Sequence, residues 1–555
     1  MYLGGGNARK KVAQGRPLIS QKQLPASTRG LNLHDGIASM KPADALILDN
    51  WFPEATYLRV RGGKYMHAAQ GSGAVYSLME WAGPSSRKFF AATETAITDI
   101  TTSGPFGVPA VTGLASGYWS TVMQATPGGH FLVLANAIDD MRNFDGAAWT
   151  TPTITGVDSS TIKFVWVHKS RQWLIPNNST KAYYLPTNSI AGAASPFELG
   201  GNFTDGGQLV AMGSVSRDGG AGSDDYLAFV SSHGQVAVYQ GDDPASSDTW
   251  ALVGVYNCAP PIGNRCVTNI EGDLAILTEA AIISTRQLMS SGGSTAARQA
   301  ISNRIDQGII QAFASYGAIP GWSVNSYPRT RQAVFNVPTS PTTAFQFVVN
   351  TQTGAWCTYG LLDSPFNATC WGIFNEQPYF GMSDGTVWQA ERGYSDQAQG
   401  DIEFFGSGLI EFESDSGDLI TFYGGSVSTF ITAQVKTSFQ TYGRQGGVAR
   451  MTMIRPLFTA GGQVVPAIRI NTDYQNDKPL STDEYPLQPG GADSNWDEAL
   501  WDSGTWGSDA APFNNWQAAT GIGTVASVNM VTQTRINTIL NAWDIKAEVA
   551  GNVTL

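Results

Sequence analysis

The sequence predicts an all-β protein: a β-propeller of six or seven irregular blades with one inserted helix, followed by a C-terminal β-sandwich-like domain. Three observations carry this. Between about Gly73 and Asp396, β-rich runs such as "AVYSLMEW", "DYLAFVSSHGQVAVYQG" and "FQFVVNTQTGAWCTYG" recur with turn signals between them, the pattern of antiparallel strands. The turns "FDGAAW", "QTGAW" and "SDGTVW" each place a Gly two or three residues before a Trp, as a hairpin entering a strand does. Charged residues make up only 14% of the chain, against roughly 25% in an average domain, while Gly numbers 62 and Trp 16. That mixture suits tight turns between aromatic-rich strands.

Taken in chain order, residues 1–30 read as a basic arm. They hold Arg9, Lys10, Lys11, Arg16, Lys22 and Arg29 with no acid, and they lack the apolar run of a secretory signal. The stretch "KPADALILDNWFPEATYLRVRGG" at Lys41–Gly63 then predicts a short helix. Pro42 suits its first turn, "ADALILDN" forms its body and Pro53 ends it. "TYLRVRGG" predicts a strand with Leu58 and Val60 on one face and Arg59 and Arg61 on the other, the arginines being placed to pair with acids of a neighbouring subunit or to meet solvent.

Residues 31–397 are read as the propeller, since recurrence at roughly 40–50 residues fits blades. The segment 294–317 interrupts it: Ile301, Ile305, Ile309, Ala312, Phe313 and Tyr316 fall at helical spacing, with Ser294 or Thr295 as cap and Gly317 as stop. After Asp396 the texture changes to "DIEFFGSGLIEFESDSGD", without a Lys or Arg, so residues 398–555 read as a second domain. Its alternating strands include "ARMTMIRPLFTAGG" and "VPAIRINTDY", and its acidic loop at 471–513 holds Asp493, Asp497, Glu498 and Asp502.

The charge distribution excludes some functions. Subtracting the six basic groups of the arm from the formal net charge of −12 leaves −18 for residues 31–555. Proteins that grip duplex DNA gain affinity through Lys and Arg, so this body is not a DNA-gripping one; a channel through which DNA slides without sticking suits its sign. No apolar run reaches the roughly 20 residues of a membrane-spanning helix. Four cysteines without C-x-x-C spacing read as reduced thiols, a Cys258–Cys266 bridge being an alternative that no motif supports.

Common catalytic signatures are missing: no G-x-x-x-x-G-K-[ST], H-E-x-x-H or G-x-S-x-G occurs. The five histidines are scattered singly, "GIGTVA" at Gly521–Ala526 lacks the βαβ context of a dinucleotide site, and "DSNWDEALWDSG" breaks the calcium-loop pattern at Glu498 and Gly504. The reading is therefore a protein with no catalytic residues, cofactor or metal.

Asp35–Gly36, "KPADALILDNWFPEATYLRVRGG", "SDGTVWQAERGYSD", "RMTMIRPLFTA" and the tryptophans Trp496, Trp501, Trp506 and Trp516 followed by "GIGTVASV" together resemble the tail nozzle proteins of short-tailed phages, the tail tubular protein B or packaged-DNA stabilisation type. The resemblance runs from about residue 30 to the end and implies a homohexameric ring below the adaptor and portal. It implies a virion tail protein assembled in the host cytoplasm, with tail fibres or tailspikes as further partners, which retains double-stranded DNA and lets it pass on infection. On that basis Asp493, Asp497, Glu498 and Asp502 are expected to face the channel, and Arg9, Lys10, Lys11, Arg59 and Arg61 to serve subunit contacts. The alternative is a β-propeller that binds or cleaves glycans of the host envelope, with loop tryptophans stacking on sugars.

Overall fold

The computed structural model describes residues 18–69, 73–218, 223–291, 300–360, 366–396, 410–413, 419–422, 430–442, 447–462, 464–477 and 511–549. Strands dominate, and the architecture is all-β.

Seven antiparallel arrays follow one another along the chain. Their first strands are Ser77–Ala82, Ser120–Thr126, Ile162–His168, Leu209–Asp218, Val267–Ile270, Ser323–Tyr327 and Ala368–Phe374. Each first strand lies against the next in this order, and the seventh lies against the first. The three turns with a Gly ahead of a Trp all form hairpins: Phe144 pairs with Trp149, Val349 with Trp356 and Phe380 with Trp388.

Alternation along each strand fills the space between neighbouring arrays. Phe89 faces the seventh array, where its ring stacks on Phe374 with centroids 4.7 Å apart, while the next residue, Phe90, faces the second and meets Phe144 edge-on at 4.9 Å. The seventh array is completed by a strand from before the first: Tyr65–Ala69 pairs with Thr386–Gln389. The beginning and end of the series are thereby stitched together.

The remaining strands build two sheets from both ends of the chain. In one, Ala355–Tyr359 of the sixth array pairs in parallel with Gly30–Leu31 and Asp44–Asp49, and Ile431–Thr437 and Val525–Thr534 continue outward. A side chain at Gly30 (φ +78) would lie 2.5 Å from the Trp356 backbone, so only glycine permits that pairing. In the other, Thr538–Val549 lies between Ala449–Ala460 on one side and Leu18–Pro25 with Leu58–Val60 on the other. Both sheets share one buried core that includes Leu48, Val435 and Met530 from the first and Leu58, Ile454 and Trp543 from the second.

Two helix expectations are corrected by the structure. Within the stretch read as a basic arm, Leu18–Pro25 is a strand in full register with Ala542–Val549; Arg9, Lys10 and Lys11 lie outside the described residues. "DALILD" is a strand, Asp44–Asp49, and not a helix: a short apolar run has no intrinsic preference strong enough to resist pairing on both sides. The helix expected over 294–317 spans Asp306–Tyr316 only, its N-terminal neighbour Ile305 making no side-chain cap, and Ser294 and Thr295 lie outside the described residues. A second helix, Thr285–Ser291, precedes it. Across the expected boundaries at residues 31 and 398, strands before Arg61 pair with strands after Phe430.

Candidate functional site

Two places concentrate polar chemistry. The first is the joint where the chain enters and leaves the series of arrays. Arg61, at the end of the Leu58–Val60 strand, is fully enclosed; its Nη1 donates to Asp396 Oδ1 at 3.0 Å and its Nη2 to Asp396 Oδ2 at 2.9 Å. Its Nε donates to Asn50 Oδ1 at 3.1 Å and its guanidinium lies 4.2 Å from the Phe366 ring centroid. Burial opposes the charge, but the Asp396 carboxylate outweighs it and holds the guanidinium pKa above its ordinary value.

Arg59 is held close by, its Nη1 donating to Glu391 Oε2 at 3.1 Å and its Nε to Glu54 Oε1 at 3.2 Å. The alternation expected for "TYLRVRGG" is present, with Leu58 and Val60 buried. Arg61 has no exposed side chain, and both arginines are engaged by acids of their own chain.

The second place is a pocket of about 170 Å³ at the ends where the first strands begin. Six of the seven first strands or their approaches contribute, through residues such as Ser77, Thr121, Trp166, Asn325 and Trp371 together with Arg265. Arg265, just before Val267–Ile270, reaches across to the first and second arrays. Its Nη1 donates to Tyr76 O at 2.9 Å, and its Nη2 donates to Ser77 Oγ at 2.6 Å and Trp119 O at 3.3 Å. The Tyr118 ring lies 5.3 Å from the guanidinium. Among the described residues Arg265 makes no ion pair, and burial pushes its pKa down.

Sequence reasoning did not find Arg265. "GNRCV" shows only a lone Arg in a turn, and the partners that define its role are backbone carbonyls and a serine more than a hundred residues away.

Asp493, Asp497, Glu498 and Asp502 lie outside the described residues. The described histidines stay apart: His34 pairs with Asp306, His67 donates from Nε2 to Ile100 O at 2.7 Å, and His168 meets Ser214 Oγ at 2.9 Å. All four cysteines are free thiols, and burial pushes Cys258 and Cys266 up to about 12. No helix among the described residues is long and apolar enough to cross a membrane.

No protein-family model matches the chain, and no curated protein matches it. Among solved structures, it is similar to BBS1N in complex with ARL6DN, at 9% identity and a TM-score of 0.36 over 60% of this chain and 97% of that one. It is also similar to YCF48 bound to D1 peptide, at 10% identity and a TM-score of 0.36 over 63% and 99%. The computationally designed Ika8 protein matches at 9% identity and a TM-score of 0.32 over 65% and 98%. Likeness of this size bears on neither the details of the fold nor function.

Proposed function

We propose that the chain is a ring-forming nozzle subunit of a short-tailed phage tail, built as a seven-bladed β-propeller on a two-sheet platform. The propeller reading rests on the order of the first strands, in which the seventh meets the first, and on the mixed seventh array that joins the two ends of the series.

One observation supports the nozzle reading above the others. The stretches that carry the sequence resemblance converge on a single joint: "RVRGG" and "AERGYSD" meet through Arg61–Asp396 and Arg59–Glu391, and "TYLRV" pairs with the strand Thr538–Val549 that also pairs with "RMTMIRPLFTA". A rigid joint between propeller and platform is what a subunit needs to hold its place in a ring under the pressure of packaged DNA. In this reading the subunits meet through heterologous contacts in a closed ring, and the duplex passes along its central axis.

The deciding experiment is single-particle electron microscopy of the purified chain, alone and added to tail intermediates that lack it. A six-fold ring with a central channel is the expected result. Monomers that never dock on any intermediate overturn the reading.

A further inference from the structure

The pocket at Arg265 has a chemistry that the nozzle reading does not use. The Arg265 guanidinium is half-buried, lines the pocket and has no countercharge among the described residues, so it offers a positive charge to an anion. Three of the five guanidinium N–H groups are taken by Tyr76 O, Ser77 Oγ and Trp119 O, which leaves the Nε–H and one Nη1–H without an acceptor among the described residues. The three ties hold the guanidinium in place, and because both Nη2 hydrogens are taken, an incoming carboxylate oxygen meets a single open N–H already fixed in position.

Around it, the Asn264 amide and the Thr121 hydroxyl also line the pocket and have no side-chain partner among the described residues. Trp166 is half-buried, its indole N–H held by Ser214 Oγ at 3.1 Å, and offers part of its ring to the same space. One unmatched cation, several open neutral hydrogen-bonding groups, an aromatic wall and about 170 Å³ define a ligand that is small, anionic and hydroxyl-rich.

We propose that this pocket binds a small carboxylate-bearing polyol, the chemistry of a uronic acid, with Arg265 pairing its carboxylate. The hydroxyls meet Asn264 and Thr121, and the ring lies against Trp166. The site stands independently of the nozzle reading, since it uses groups of a single chain.

Isothermal calorimetry of the full chain with glucuronate, glucose and inorganic phosphate tests it. Glucuronate should bind with a Kd of about 1 mM or tighter, and glucose at least about tenfold more weakly. Arg265→Gln should abolish binding. Because that variant also loosens the ties to Tyr76 and Trp119, Thr121→Asp provides a second test: it leaves those ties intact, sets a like charge against the ligand, and should remove binding while the melting temperature holds. Wild-type protein that fails to bind glucuronate at about 10 mM overturns the proposal. So does binding that survives Thr121→Asp, or phosphate binding as tight as glucuronate, which would make the pocket a general anion site.

Discussion

Arg61 and Asp396 are separated by 335 residues and form a two-pronged ion pair with 0% and 3% of their side chains exposed. Asp396 Oδ1 also accepts from the backbone N–H of Lys64, and Arg61 from its side holds Asn50 and the carbonyl of Gly62. The pair thus locks the first residues of the series of arrays to the last. Removing one partner strands a buried charge, which costs about 3–5 kcal/mol, whereas replacing both by apolar groups is far milder. Arg61→Met should therefore lower the unfolding free energy by that amount, and Arg61→Met with Asp396→Leu by much less, as read by denaturant unfolding.

Gly63 lies where the entering and leaving strands touch. A Cβ there would sit 1.8 Å from the carbonyl oxygen of Ser395, and a backbone atom cannot swing aside as a side chain can. Gly63→Ala should lower stability by about 1–3 kcal/mol or more. Gly73→Ala is the control for size alone, since nothing lies within 4 Å of the added carbon, although its φ of +89 adds a smaller backbone cost.

His168 is buried, and burial first, then the nearby Lys169 charge, push its pKa from 6.5 down to about 4, with Asp225 and Asp242 opposing. The folded value lies below the unfolded one, so the unfolded chain takes up the proton first as pH falls. Stability is complete above pH 6.5 and declines from there toward pH 4, by about 3 kcal/mol if the whole shift is expressed. His168→Gln, which keeps a polar group near Ser214, should flatten that part of the stability–pH curve. An unchanged slope between those values would show that other groups dominate it.

The legibility of the chain follows from the range of its interactions. Hairpins were legible because their signal is local: "FDGAAW", "QTGAW" and "SDGTVW" contain both the turn and the strand start. The face alternation of Leu58 and Val60 against Arg59 was legible for the same reason. Asp44–Asp49 was not, because an apolar hexapeptide becomes a strand only when Gly30–Leu31 and Ile431–Thr437 flank it. Nor was Leu18–Pro25, whose partner lies at the far end of the chain, or the burial of Arg61, which depends on Asp396. Arg265 carries no local signal at all.

The acidic residues Asp497, Glu498 and Asp502 belong to the expected channel lining. In a ring that passes DNA, a like-charged wall keeps phosphates from sticking. Reversing all three to Lys should slow ejection in a single-particle fluorescence assay, more at low salt than at high salt, because exposed charges are screened within about 8 Å at physiological ionic strength. Ejection at the wild-type rate under both conditions would remove these residues from the channel.

The pairing of Leu18–Pro25 with Ala542–Val549 separates two contributions of the N-terminal region. Deleting residues 2–29 removes all eight paired residues, including the buried Leu24, and should destabilise the platform sheet by several times the roughly 0.5–1.5 kcal/mol of a single hydrogen bond. Deleting residues 2–17 leaves that strand whole while removing Arg9, Lys10, Lys11 and Arg16. If the basic segment serves docking on a neighbouring subunit or adaptor, the shorter deletion should keep the wild-type melting temperature and lose incorporation into tails. Equal incorporation by the shorter deletion and the full chain would show that assembly draws nothing from those four charges.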